Sequence, residues 1–350
     1  MTIGNLPIIG RAWAPSEKRN VLLPIAATMA FGPDVRADAE RQEIVVGPGR
    51  GEPWDVMSFR GEGAEEAFRY VMAVDGTRSI ADVAREVGGD VDEATAVLQE
   101  LYERAVLRET GGVELPAVVF YEHLRMESKR AFDKWGPSPM LARFASGPVT
   151  RRFALGYLME NYHYAAAASS HQGAAVASMP TLRLKTAFSE HLSIEYWHHA
   201  WLKRGLLAAG LTEQDVERAH PLPSTLAQIN QLRWLAVSDP LAYSACIGIG
   251  EGDPMASSSV ARFWDRFAEH GVLPEEAYGP FREHDLGDCE DDHESFGSEA
   301  FIERGGMTAT EQARVRARVL SFSRLTWGFH HEMVDFYGSA EGPAFFTPEG

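Results

Sequence analysis

Apolar residues along this chain follow two different periods, and the change comes near residue 115. Over residues 1–60 they fall in short runs such as Val21–Ile25 and Glu43–Val46, broken by Gly32-Pro33 and Gly47-Pro48-Gly49. Runs of this kind between turn signals predict strands. Residues 64–108 carry a helical period instead. Glu65–Ala73 reads as a short helix and Asp75-Gly76-Thr77 as a turn. Ser79 is placed to cap Ile80–Val87, with Asp82 three residues on. Asp90 or Asp92 caps Glu93–Val106, whose Ala94, Val97, Leu98, Leu101 and Tyr102 recur on one face. Strands followed by three short helices predict a small α+β winged-helix domain over residues 1–115, and Gly111-Gly112-Val113 with Pro116 marks its linker.

From Val118 onward the pattern is almost wholly helical. Helices are predicted near 118–133, 149–177, 182–210, 224–235, 239–250, 256–270, 275–296 and 307–337. Prolines such as Pro139, Pro180, Pro223, Pro240 and Pro274 fall at or between these boundaries, where proline is tolerated. Pro280 falls inside 275–296 and marks an alternative start for that helix. The chain is therefore expected to be mostly α, with residues 116–340 forming a bundle of about seven helices.

Composition narrows the function. The 350 residues hold 33 basic and 50 acidic side chains, a formal charge of −17. A nucleic-acid partner needs a concentrated basic surface, and an anionic membrane attracts basic segments, so neither is expected. No apolar stretch approaches the roughly 20 residues of a membrane span. The start, MTIGNLPIIGRAW, has no basic stretch followed by an apolar one, so no secretory signal is expected and the expected compartment is the cytoplasm. Two cysteines, Cys246 and Cys289, make neither a disulfide framework nor a thiolate zinc site. Phosphate-binding glycine loops and a Gly-x-Ser-x-Gly elbow are both absent from the sequence.

What remains is a concentration of histidine and carboxylate. Eleven of the twelve histidines lie between His163 and His331. Glu160-x-x-His163 and Glu195-x-x-His198 each place a carboxylate and an imidazole on one helix face. His199 stands as the alternative to His198 if the helix register shifts by one. A denser run, His284-Asp285-Leu286-Gly287-Asp288-Cys289-Glu290-Asp291-Asp292-His293-Glu294, offers two faces: His284 with Asp288, and Glu290 with His293. On a regular helix His284 and His293 point about 180° apart. Both could serve one site only if the helix is interrupted, and Gly287 is the natural place. Seven acidic residues within Glu283–Glu294 would be relieved by a cation, or would form a solvated face. Glu251, at the end of an apolar run, is either an exposed exit or a buried group that needs a cation. Such oxygen and nitrogen donors suit Fe or Mn better than structural zinc. Tyr162, Tyr164, Tyr196, Trp197 and Trp201 are candidates to wall a cavity beside them.

Glu160–Tyr164, Glu190–Leu211 and Tyr278–Glu294 together resemble the haem-oxygenase-like helical fold of TenA-type proteins and of the cofactorless oxidase PqqC. Within that fold they are most similar to the haem-oxygenase-like di-iron oxidases. The resemblance implies two Fe(II) ions, with Mn as the alternative metal, and O₂ as cosubstrate. It carries a ligand set onto Glu195, His198, Glu251, His284, Asp288 and His293, with Glu160 and His163 as additional ligands or cavity lining. Glu251 follows Glu195 by 56 residues, where the family's isolated Glu is expected. The last ligand departs from the family pattern, since Asp291 holds its expected place and His293 lies two residues beyond, so Glu290 with His293 remains an alternative pair. Residues 20–110, through Asp75-Gly76-Thr77-Arg78-Ser79-Ile80-Ala81-Asp82-Val83-Ala84 and the helix after them, resemble the PqqD-like peptide-recognition domain. Such a domain binds a precursor-peptide leader by adding it as a strand to a sheet edge.

The expected function is an iron-dependent oxidase or oxygenase acting on a peptide or amino-acid-derived substrate in a biosynthetic pathway. A precursor-peptide leader and, in a homodimer, a second copy of the chain are the candidate partners. The competing readings are a metal-free peptide-binding protein and a PqqC- or TenA-like protein with a different chemistry in its bundle.

Overall fold

A computed structural model gives the fold and describes residues 22–47, 53–250, 257–290, 294–339 and 341–347. The chain divides into two compact units, residues 1–134 with 301–314 and residues 135–300 with 315–350.

The first unit opens with β1 (Met29–Phe31), β2 (Val35–Asp38), β3 (Glu43–Val46) and β4 (Asp55–Ser58). β2, β3 and β4 form an antiparallel meander in which Val46 pairs with Val35 on one side and Asp55 on the other. The predicted strand over Val21–Ile25 does not form across its described residues, 22–25. Leu23 is buried there, and its backbone N–H donates to the Gln99 side chain at 2.9 Å, so the segment needs no ladder. Helices α1 (Ala64–Met72), α2 (Ile80–Val87) and α3 (Val91–Glu103) follow. Ser79 and Asp82 cap α2 reciprocally, and Asp90 caps α3. Tyr70, Val83, Val97 and Leu98 from these helices meet Ile44 and Val46 in the core of the unit. β5 (Leu107–Glu109) returns antiparallel to β1, and β6 (Leu115–Pro116) leads into α4 (Ala117–Trp135). α4 belongs to this unit up to Lys134, with the His123 ring stacked on Tyr102 at 4.2 Å.

The second unit is helical. It contains α5 (Pro139–Ser146), α6 (Arg151–Ser178), α7 (Leu182–Glu195), α8 (His198–Ala208), α9 (Glu213–Arg218) and α10 (Pro223–Ser238). These are followed by α11 (Pro240–Gly250), α12 (Ser257–Glu269), α13 (Glu275–Glu290) and α14 (Glu294–Arg304). β7 (Gly306–Met307) belongs to the first unit, where it pairs with β6, and α15 (Ala309–Tyr337) belongs to the second from Val315 on. Phe144, Phe153, Leu158, Leu206, Trp264 and Phe281 are among the side chains that fill the core. No helix among the described residues is long and apolar enough to cross a membrane.

Three differences from the predicted helices bear on function. The helix expected over 182–210 is interrupted at Tyr196 and Trp197, giving α7 and α8. The helix expected over 275–296 is seen as α13 over its described residues Glu275–Glu290, and residues 291–293 lie outside the described ones. It runs without a break through both Pro280 and Gly287, so neither residue starts or interrupts it. Finally, α5 and α9 form where the sequence suggests only connections. Ser138 caps α5 ahead of Pro139, and Thr212 with Asp215 makes a capping box for α9.

Close packing of α8 on α13 depends on a missing side chain. A Cβ on Gly205 would lie 2.4 Å from the Ala277 carbonyl oxygen and 3.0 Å from the Phe281 ring. Seven residues back along α8, His198 meets His284 of α13, ring centroids 4.5 Å apart. The two helices are thus antiparallel, and one register sets both contacts.

Candidate metal centre

Glu195 ends α7 and His198 begins α8. The two residues between them keep right-handed helical dihedrals, with φ −55° at Tyr196 and −99° at Trp197. The three-residue spacing therefore still brings the side chains together, and His198 Nδ1 donates to Glu195 Oε2 at 2.9 Å. Donor atoms of Glu195, His198 and His284 all lie within 4.8 Å of one another. Two donors held at right angles on a first-row divalent ion at about 2.1 Å stand about 3.0 Å apart. The oxygen and nitrogen of Glu195 and His198 already have that separation, with a proton in the place of the ion. The three residues fit a metal.

Electrostatics at the cluster point the same way. Glu195 is 7% exposed. Burial raises its carboxyl, but the hydrogen bond from His198 and the nearby His198, His191 and His284 rings outweigh that and hold it below the usual carboxylate range. An anionic oxygen in a closed interior favours a cation beside it. Asp285 supports the third member, with its Oδ1 3.4 Å from His284 Nδ1 and its Oδ2 accepting the Trp264 indole N–H at 3.0 Å. A carboxylate on one imidazole nitrogen fixes the orientation of the ring for the other. Asp285 was not singled out from sequence, because one more acid in an acid-rich run carries no signal until its neighbours are known.

Behind Glu195 lies a buried polar layer. Gln172 Nε2 donates to His191 Nε2 at 3.1 Å, and His171 Nδ1 lies 2.8 Å from the Tyr243 hydroxyl. His171, Gln172 and His191 are each about 1% exposed. Burial pulls the His171 imidazole down to about 3, so this ring is neutral. Sequence periodicity alone does not separate these histidines from ordinary core positions.

The remaining predicted residues fall as follows. Glu251 and His293 lie outside the described residues, as does the side chain of Asp288 on α13. His199 is outside the cluster and packs edge-on against Tyr196. Tyr196 and Trp197 do not wall a cavity, being 47% and 67% exposed at the break between α7 and α8. His163 on α6 is half-buried, and partial burial with the nearby His220 ring pulls its imidazole down to about 4. Glu160 and His163 are not part of the convergent group.

Glu160 has partners of its own. Its Oε2 accepts the Leu222 N–H at 2.9 Å and its Oε1 accepts the Tyr337 hydroxyl at 3.0 Å. Burial pushes its carboxyl up to about 7 from an ordinary 4.5. The folded chain then holds this proton more tightly than the unfolded chain. The group favours folding at low pH, and that contribution is lost as the pH rises from 4.5 through about 7. Glutamine mimics the protonated acid, because the Tyr337 hydroxyl can turn from donor to acceptor. Glu160→Gln is therefore expected to stabilise the protein near pH 8 by roughly 1–3 kcal/mol and to leave it little changed near pH 5. Thermal melts across that range check it, and an unchanged pH slope in the variant would overturn it.

The bundle is haem-oxygenase-like. Residues 155–327, which include all three convergent residues, match the haem-oxygenase-like family described as iron-containing redox enzyme. Among solved structures, a domain of unknown function with a heme oxygenase-like fold from Shewanella denitrificans is 17% identical, TM-score 0.51, over 63% of this chain and 97% of that one. A TenA family transcription regulator from a Silicibacter species is 15% identical, TM-score 0.47, over 61% and 96%. A TenA homologue from Pyrococcus furiosus is 15% identical, TM-score 0.46, over 61% and 99%. No curated protein matches the sequence.

Proposed function

We propose that this protein is an iron-dependent oxidoreductase that uses O₂, with two Fe(II) ions in its helical unit and a peptide or amino-acid-derived substrate. The observation that carries this reading is the convergence of Glu195, His198 and His284 from α7, α8 and α13. The family match over residues 155–327 supports iron and redox chemistry at that place. Glu251, Asp288 and His293 are the proposed completion of the ligand set for a second ion.

Iron held by these residues would supply the electrons for reduction of O₂. The chain's own contribution is positional. Glu195 would hold the ion through its anionic carboxylate. His198 would hold the ion through an imidazole nitrogen beside Glu195. Asp285 holds the His284 ring, and Trp264 holds Asp285. In this reading the first unit binds the leader of a precursor peptide as an added strand and raises its local concentration at the iron.

The test is anaerobic addition of Fe(II) to the metal-free protein, with bound iron counted, followed by admission of O₂ while the optical spectrum is recorded. About two irons per chain and an O₂-dependent transient band are expected. Protein that takes up neither Fe(II) nor Mn(II) would overturn the reading and favour a metal-free peptide-binding or TenA-like role.

A further inference from the structure

A second cluster in the helical unit has no part in the metal centre. Arg324, Trp327, Gly328 and His331 follow one another on α15 at i, i+3, i+4 and i+7, and so share a face. With Trp135 they line a surface depression of about 380 Å³. The Trp135 and Trp327 ring centroids are 6.2 Å apart with the planes tilted by 40°. The Arg324 guanidinium lies over the Trp135 ring at 5.0 Å. His331 stands edge-on to Trp327 at 5.3 Å. Gly328 leaves the notch between them open, since a Cβ there would meet nothing within 4 Å.

From this arrangement we infer that the depression is a binding site for a small planar aromatic carboxylate. The ring of such a ligand would lie over Gly328 beside the two indoles, and its carboxylate would meet Arg324. Stacking on an indole leaves the guanidinium edge, with its forked N–H donors, free for a planar anion. Among the described residues no carboxylate forms an ion pair with Arg324. At long range a protein of net charge −17 repels anions, so affinity for one must come from a local cation, and Arg324 lines this notch. The volume is at the small end of ligand pockets, which suits a one- or two-ring acid. The site is independent of iron, because none of its residues belongs to the metal cluster.

The full-length, metal-free protein is titrated with 2-naphthoate, with tryptophan fluorescence and calorimetry as readouts. Saturable binding at submillimolar concentration is expected, and neutral 2-naphthylmethanol is expected to bind much more weakly. Arg324→Gln should weaken naphthoate binding roughly tenfold or more, the loss of a charge-assisted pair. Gly328→Leu should abolish binding by filling the notch. Leucine is a good helix former, and its Cβ enters open space, so this variant should melt no lower than the parent. Absence of naphthoate binding at millimolar concentration would overturn the inference. So would equal binding of the alcohol, or unchanged affinity in both variants.

Discussion

Replacing His198 by alanine is expected to cost at least about a hundredfold in iron affinity while the metal-free protein stays folded. Partners one step removed from a metal already cost 10–100-fold when lost, and His198 is a direct donor in the proposed set. It touches two other members of the cluster, bonding Glu195 at 2.9 Å and facing His284 at 4.5 Å between rings. Its side chain is 16% exposed, so truncation leaves a partly open hollow and not a sealed cavity. Glu195→Gln is the companion variant, because it keeps the shape and removes the anionic oxygen. His199→Ala is the control, since that ring packs against Tyr196 outside the cluster and should leave iron content unchanged. Iron counted after anaerobic loading, with a melt of the metal-free form, reads all three. Full iron content in His198→Ala would remove the residue from the site.

How much of this was legible in the sequence depended on the range of the interactions. Caps and turns were legible because they are local. Ser79 with Asp82 and Asp90 before α3 are the groups that start those helices. Glu195 and His198 were also legible, since a spacing of three survives the helix break. The break itself was not, because nothing in Tyr196-Trp197 stops a helix, and the two aromatics instead project outward there. The fate of Val21–Ile25 depended on Gln99, 76 residues beyond Leu23, which no local pattern can supply. Glu160 and Glu195 look alike as Glu-x-x-His motifs. They are separated by tertiary partners: an N–H of the α10 approach and a tyrosine for one, two histidines for the other. His284 likewise gains meaning from its position opposite His198, a register that is set two helical turns away.

That register leads to the second large effect. Gly205→Ala is expected to weaken iron binding although residue 205 touches no proposed ligand. The added Cβ would meet backbone at Ala277, 2.4 Å away, and cannot be accommodated by turning a side chain. α8 and α13 must then separate or slide, and each movement displaces His198 relative to His284. Overpacking of this kind costs about 1–3 kcal/mol, while alanine returns up to about 1 kcal/mol of helix propensity. The net loss should be about 1–2 kcal/mol, visible as a lowered melting temperature. Gly173→Ala on α6 separates propensity from packing, because its Cβ would meet nothing within 4 Å and the change should stabilise slightly. Valine or leucine at 205 should be worse in both stability and iron affinity, in order of size. A Gly205→Ala protein with parental melting temperature and iron affinity would mean that the closeness of α8 to α13 does not set the metal centre. The three residues would then have to be brought together by the ion itself.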